Sequence, residues 1–296
     1  ADIGRNSGSA MLEGPRQLVL ETSGICNLRC PQCWIGLRWF DRGKENHFLS
    51  MNLFNKIADE AQAYVKHCYL HLWGEPTLNK NLPAMIKRTR EFATVDLATH
   101  GLFIDEAMAE AISDADSLSV SIDGIDQEIY EKYRVGGNLE DAMRGMKLLI
   151  KYCGHKVNWT FVVFKENEHQ LAAAQKLADE IGANIGFKPP LFWDKSKMDA
   201  SMPTKESLRR YQYTGGGWAL KADRLKCREF WETVYVLPSG DVTTCCYDGA
   251  AEYVVGNVKE NSLLSVWNGA PYNAMRTKHT GGTLNEMCEK YCHLPN

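Results

Sequence analysis

No run in this chain approaches the roughly 20 apolar residues that a membrane-spanning helix needs. An excess of one charge is missing too: 34 Lys and Arg stand against 37 Asp and Glu, a formal net charge of −3. That near balance gives no electrostatic reason to expect nucleic acid or an acidic membrane surface as a partner. No low-complexity tract interrupts an ordinary globular composition, 44% hydrophobic and 24% charged. The opening ADIGRNSGSAMLEG lacks the apolar core of a secretion signal, and residues 1–16 read as a flexible tail. The expectation is a cytoplasmic protein.

Cysteine, by contrast, is plentiful, and its placement matters more than its count of ten. Cys26, Cys30 and Cys33 form an N-terminal trio, Cys227, Cys245, Cys246, Cys288 and Cys292 a C-terminal group, and Cys68 and Cys153 stand apart. In a reducing compartment such clusters read as ligands of a metal or an iron–sulfur centre rather than as disulfides.

Short β-rich runs alternate with helical patterns through the first two-thirds. Strands are expected at 17–23, 68–74, 94–100, 117–123, 157–164 and 183–189, with helices near 51–65, 82–92, 105–113, 138–152 and 167–181. Six βα repeats with right-handed crossovers imply a parallel sheet backed by helices. Six is short of the eight of a closed barrel, so the α/β fold predicted is a partial (β/α)6 TIM-like barrel over 17–190. Residues 191–226, rich in Pro, Gly and aromatics, read as a bridge. From 227 to 296 a small cluster-binding domain is expected, a β-hairpin turning at Ser239-Gly240 followed by a helix over 262–276.

The trio CNLRCPQC directly follows the first strand, on the face where barrel enzymes build active sites. Three thiolates in one loop can hold three irons of a [4Fe–4S] cube and leave the fourth open. An open iron can chelate an amine and a carboxylate, and the methionine end of S-adenosylmethionine (SAM) offers both. Reduction then breaks the sulfonium C–S bond and leaves a 5′-deoxyadenosyl radical. The alternative is structural zinc, which wants four ligands in a closed site. The loop holds no fourth, and the nearest histidine, His47, lies well outside it.

CNLRCPQC resembles the signature loop of the radical SAM superfamily, and the αβ repeats suit that family's partial barrel. The family has an aromatic residue before the third cysteine, near the adenine; here Gln32 takes that position and Trp34 follows the cysteine. Trp73-Gly74-Glu75-Pro76 is similar to the family's GGEP motif, which binds the methionine amino group, with Trp73 replacing a glycine. Thr99-His100-Gly101 stands where relatives have Thr-Asn-Gly. Ser119, Ser121 and Asp123 share one strand face and look like residues that approach the SAM carboxylate or ribose. The resemblance thus implies SAM contacts from Trp34, Gly74, Glu75, Pro76, Thr99, His100, Ser119, Ser121 and Asp123.

In the C-terminal group, Cys227, Cys245, Cys288 and Cys292 make a complete ligand set for a [4Fe–4S] cluster or for zinc. Cys-x12-Gly-x4-Cys with a late cysteine pair resembles the auxiliary-cluster domain called SPASM, or Twitch in its short form, which favours one auxiliary [4Fe–4S] cluster. The closing pair is C-x3-C where the short form has C-x2-C. Cys246, next to a ligand, reads as a packed thiol.

An auxiliary cluster with four cysteine ligands accepts an electron, which suits dehydrogenation of an alcohol carbon on a small sugar- or cyclitol-like metabolite. The residue set resembles Twitch dehydrogenases of aminocyclitol pathways. Alternatives are an epimerase with Cys246 as the hydrogen donor, a peptide-modifying enzyme, or a non-catalytic zinc protein. The short segment before the first strand leaves no room for a leader-binding domain, which counts against a peptide. Candidate substrate-side residues are Glu21, His71, Thr160 and Lys188, with Glu21 and Lys188 as possible bases; the bridge adds Trp193, Asp194 and Trp218. An electron donor such as flavodoxin or ferredoxin is the expected protein partner.

Overall fold

A computed structural model describes residues 13–38, 41–221 and 227–292. Residues 1–12 of the expected tail, 222–226 of the bridge and 293–296 at the end lie outside the described residues. Six strands, β1 (Gln17–Leu20), β2 (His67–Tyr69), β3 (Thr94–Thr99), β4 (Ser117–Ser121), β5 (Val157–Val162) and β6 (Asn184–Lys188), pair in that order and in parallel. This is the partial barrel that six βα repeats imply. Leu18, Leu20, Val95, Leu97, Leu118, Val120, Trp159 and Phe161 alternate along the strands and are buried. Between them Tyr69, Asp96, Ser119, Ser121 and Thr160 are half-buried on the opposite, concave face.

A short helix α1 (Trp34–Leu37) follows the cysteine loop, and between the strands come α2 (Met51–Ala61), α3 (Leu82–Thr89), α4 (Glu106–Ala111), α5 (Gln127–Tyr133), α6 (Leu139–Cys153) and α7 (Leu171–Ile181). Their starts follow local chemistry: Ser50 accepts from the Leu53 amide, Asp105 from Met108 and Asn138 from Asp141. α2 then buries Leu53, Phe54, Ile57, Ala58 and Ala61, an i, i+4 stripe. Helix α5 was not anticipated; Asp126 caps it by accepting from the Ile129 amide.

The bridge is more ordered than its composition suggests. It contains α8 (Met198–Ser201) and a small antiparallel pair, β7 (Tyr211–Tyr213) and β8 (Trp218–Leu220). Phe192, Met198, Met202 and Tyr211 pack with Phe164 of the barrel in a second hydrophobic cluster.

After α9 (Glu229–Glu232), strand β9 (Thr233–Val236) joins the barrel sheet parallel to β1, and β10 (Asp241–Thr243) and β11 (Gly256–Asn257) extend it. The hairpin turns at Gly240, whose φ of +89° suits glycine. Where one helix was expected over 262–276 there are two, α10 (Leu263–Trp267) and α11 (Ala270–Thr280). Pro271 lacks an amide proton and is tolerated only in the first turn, so the helix restarts there. A last helix, α12 (Glu286–Tyr291), carries the closing cysteines. Lys56 on α2 donates to the Val258, Lys259 and Asn261 carbonyls, tying this segment to the barrel. Among the described residues no helix is long and apolar enough to cross a membrane.

Candidate active site

The loop after β1 presents its three cysteines around the start of α1, with Cys33 as the residue that caps the helix. A Cβ on Gly36 would stand 2.1 Å from the Cys30 carbonyl, so α1 packs directly on the loop. The Leu28 amide donates to Cys26 Sγ at 3.4 Å, and the Ile35 and Gly36 amides point at Cys33. Arg134 Nη1 approaches Cys30 Sγ at 3.9 Å. Burial pushes Cys26 up to about 12 and Cys30 up to about 11, against the pull of the Leu28 amide and Arg134. Buried thiols ringed by N–H donors fit an iron–sulfur centre: the iron supplies the positive charge that ionises them, and the donors tune the sulfurs.

The following loops fasten onto this one. Glu75 donates its amide to the Ile25 carbonyl at 2.8 Å, and a Cβ on Gly74 would lie 2.0 Å from the Ser23 carbonyl. Only glycine allows that approach. The buried Glu75 carboxylate accepts from Thr77 Oγ1 at 2.6 Å, Thr99 Oγ1 at 2.7 Å and the His100 amide at 3.0 Å. His100 Nε2 meets Asn27 Oδ1 at 2.8 Å. Glu75, Thr99 and His100 are thus brought together beside the cysteine loop, with Pro76 opening a single turn over Pro76–Leu78.

Ser119 and Ser121 lie on the concave face of β4, opposite Asn158 and Thr160 of β5. Asp123 turns inward and is fully buried. It accepts from Arg134 Nε at 2.5 Å and from the Val162 amide at 2.5 Å. Burial raises its pKa and Arg134 opposes the rise. Asp123 therefore aims Arg134 at Cys30, and Arg134 is a site residue that the sequence reading missed.

Glu21 is paired inside the protein. Arg42 holds both its oxygens, at 2.8 and 3.0 Å, and the Trp73 amide donates at 3.2 Å. Burial disfavours the Arg42 charge, and Glu21 more than offsets it. Lys188 is exposed on the edge strand β6. Gln32 Oε1 accepts from the Trp193 and Asp194 amides, at 2.7 and 3.0 Å, which fastens the cysteine loop to the bridge. Trp34 is buried among Trp193, Tyr291 and Trp73, with ring centroids at 4.7, 5.2 and 6.3 Å. Its ring joins the barrel to the C-terminal segment. Cys68 is buried under the helices and Cys153 ends α6.

The second cysteine set is drawn from three segments. Cys288 lies in α12 and Cys292 caps it one turn later, so C-x3-C puts both thiols on one helix face. Their charges bear on Cys227, which burial pushes up to about 12 and the Glu229 amide pulls back. Cys245 arrives on the hairpin and receives the Tyr247 amide at 3.4 Å. Its pKa rises well above the usual thiol range, first through a hydrogen bond with Cys246 and then through burial. The amide two residues on thus serves Cys26, Cys33, Cys227 and Cys245 alike. Cys227, Cys288 and Cys292 lie within electrostatic reach of one another, but among the described residues no three potential ligands are gathered closely enough to hold a metal ion.

A cavity of about 310 Å3 opens on the concave face of β9, β1 and β2. His71, Trp73, Glu229, Tyr235 and the half-buried Cys246 line it. The Trp73 carbonyl lies 4.0 Å from Cys33 Sγ, and Cys246 adjoins Cys245, so the lining comes near one cysteine of each set. A second cavity, of about 280 Å3, lies beside Pro31 and Gln32, with Tyr133, Phe164 and Phe192 in its wall.

Comparison with known proteins agrees with this arrangement. The radical SAM superfamily profile matches residues 20–178, and an iron–sulfur cluster-binding domain profile, SPASM, matches 227–293. PqqA peptide cyclase of Granulibacter bethesdensis is 28% identical over 303 residues, covering 88% of this chain and 75% of that one. A probable GTP 3′,8-cyclase of Methanococcus maripaludis is 28% identical over 172 residues, 57% of this chain and 56% of that one, so this chain spans little more than half of that relative. Mycofactocin maturase MftC of Mycobacterium ulcerans is 24% identical, over 95% of this chain and 82% of that one. In fold, the chain is similar to Streptococcus suis SuiB bound to the precursor peptide SuiA (TM-score 0.68, 16% identity, 91% and 68% covered). It is similar also to BtrN in complex with AdoMet and 2-DOIA (TM-score 0.56, 17% identity, 92% and 89% covered). The chain belongs to the radical SAM superfamily, an enzyme with a SAM-binding [4Fe–4S] cluster and, in its SPASM segment, an auxiliary iron–sulfur cluster.

Proposed function

We propose that this enzyme oxidises a polar substrate by two electrons at a hydroxyl-bearing carbon, in the cavity whose lining comes near one cysteine of each set. The observation that carries this reading is the cavity itself, with Trp73 beside Cys33 on one wall and Cys246 beside Cys245 on another. Cys26, Cys30 and Cys33 would hold the SAM cluster, and Cys227, Cys245, Cys288 and Cys292 one auxiliary [4Fe–4S] cluster. When bound, these groups supply a 5′-deoxyadenosyl radical on one side and an electron acceptor on the other.

Net, the substrate carbinol loses two hydrogens and becomes a carbonyl. The hydroxyl proton needs an acceptor in the wall, and the Glu229 carboxylate lies there. His71 also belongs to the lining, but its partnerless Nδ1 is buried away from the cavity. Glu21, bound by Arg42, and Lys188, exposed on the edge strand, are less suited. Arg134, aimed at Cys30 by Asp123, offers a cation to the carboxylate of SAM. A small hydroxylated metabolite or one side chain of a peptide would fill the cavity. The likeness to PqqA peptide cyclase over most of the chain supports the peptide, and the likeness to BtrN supports the small molecule. An electron donor such as flavodoxin or ferredoxin would reduce the first site.

A second reading, inversion without net oxidation, is favoured by Cys246, whose thiol lies in the cavity wall and could return hydrogen. One experiment separates the two. With substrate deuterated at the attacked carbon, oxidation yields labelled deoxyadenosine and a carbonyl product. Inversion with solvent hydrogen in the product and no carbonyl would overturn the oxidation reading.

A further inference from the structure

On the reading above a separate protein reduces the first cysteine site, and on one side the cysteine loop comes up to the surface. Cys30 is buried, while Cys26 is half-buried and Asn27 exposed. Two other loops frame Asn27. The Val135 carbonyl accepts from the Arg29 amide at 3.0 Å, and a Cβ on Gly136 would lie 4.0 Å from the Asn27 carbonyl. His100 Nε2 meets Asn27 Oδ1 at 2.8 Å, and the Phe103 ring stands edge-on to His100 with centroids 5.5 Å apart. Phe103 and Val135 are 44% and 40% exposed, two of the few large hydrophobic side chains open to solvent among the described residues. Arg29 adds charge. Its Nη1 donates to the Cys26 and Leu28 carbonyls, each at 2.7 Å, and among the described residues no carboxylate pairs with it. The carboxylates after Phe103 are engaged elsewhere, Asp105 by the Met108 amide and Glu106 by Lys151. An apolar patch with an uncompensated cation therefore lies over the loop.

We infer that Phe103, Asn27, Val135 and Arg29 form the docking surface of an acidic one-electron carrier protein, which delivers its electron on the Cys26 side of the loop. One electron leaves the carrier and enters the first site; the carrier is oxidised by one electron, the site is reduced by one, and no bond forms or breaks. A partner that visits for a single electron and departs needs only a small contact, and redox encounters of this kind bury less than about 1,200 Å2. Two exposed apolar side chains supply the centre of such a contact. Arg29 beside them draws in a negatively charged face and disfavours a positive one. The inference rests on the reading that a separate carrier reduces the first site, and it is independent of what the substrate is or how it is changed.

The test uses flavodoxin, an acidic flavoprotein, as the probe and the cluster-loaded protein as its acceptor, without oxygen. Binding is read from NMR shift changes in isotope-labelled, oxidised flavodoxin. Electron delivery is read from the initial rate of deoxyadenosine formation with SAM, reduced flavodoxin and no substrate, and dithionite replaces flavodoxin in the control. With the parent protein both binding and rate should fall as salt is raised. Val135→Asp and Phe103→Asp should each weaken binding and slow the flavodoxin-driven rate roughly tenfold, by placing a like charge in the contact. The dithionite-driven rate should stay unchanged. Val135→Lys should act in the opposite direction, and it keeps the test available if either Asp variant loads iron poorly. Flavodoxin binding and rate that none of the three variants alters, or a loss shared equally with dithionite, would overturn this surface and leave the separate carrier standing. A dimer that the Asp variants dissociate while the flavodoxin rate holds would overturn it too, in favour of a second copy of this chain. A parent protein that dithionite reduces and flavodoxin neither binds nor reduces would overturn both the surface and the reading beneath it.

Discussion

The first three cysteines sit in one short loop, while the C-terminal four come from the start of α9, the end of a hairpin and both ends of one helical turn. The loop is organised by its own backbone, by α1 packed on it and by the turns after β2 and β3. In the second set, Cys288 and Cys292 of α12 come near Cys227, while Cys245 arrives on the hairpin whose strand β9 joins the barrel sheet. A local loop with three thiols leaves room for a cofactor on the metal. A set assembled from distant segments closes around its metal and stabilises the segment that carries it. The buried arginines differ in the same way. Arg134 serves the first site paired with a buried carboxylate. Arg276, in the C-terminal core, is held by the Phe230 and Trp267 carbonyls, each at 2.7 Å, and by the faces of Trp267 and Tyr272.

The comparison breaks hardest at Cys30. Cys30→Ala should abolish deoxyadenosine formation while about four irons per chain stay in the second site, read by iron analysis and chromatography. Asp123→Asn should follow, because it leaves the Arg134 charge buried without its partner. The expected loss is about 3 kcal/mol or more in urea unfolding, with weaker SAM binding. Arg276→Met leaves two buried carbonyls without donors and should cost about 2 kcal/mol, with iron lost first from the second site. Cys246→Ala should do least: iron content and deoxyadenosine formation unchanged, with only the fate of the substrate affected if the thiol donates hydrogen.

Much of the barrel was legible because buried strands and amphipathic helices write their periods into the sequence, as α2 and β4 do. The cysteine loop was legible because its three cysteines are neighbours in the chain. What escaped was non-local. Arg134 follows an unanticipated helix, and nothing in a lone arginine signals a carboxylate brought up beneath it from the end of β4. The pairing of Glu21 with Arg42 was equally hidden, since Arg42 lies in an irregular stretch. Gly74 could be seen as part of a motif, but the reason for it, the Ser23 carbonyl, belongs to another loop. The C-x3-C spacing looked irregular until α12 showed that a helix places residues four apart on one face. The break between α10 and α11 was written in Gly269 and Pro271 and was overlooked.

The central claim is that the two sites do different work, one generating the radical and the other receiving the electron. It is tested most directly by the double variant Cys288→Ala, Cys292→Ala, purified without oxygen and compared with the parent protein. The account predicts that iron falls from about eight to about four per chain. Deoxyadenosine should still form with dithionite and SAM, and oxidised product should vanish. Loss of SAM cleavage together with the iron, or full product formation without it, would contradict the account.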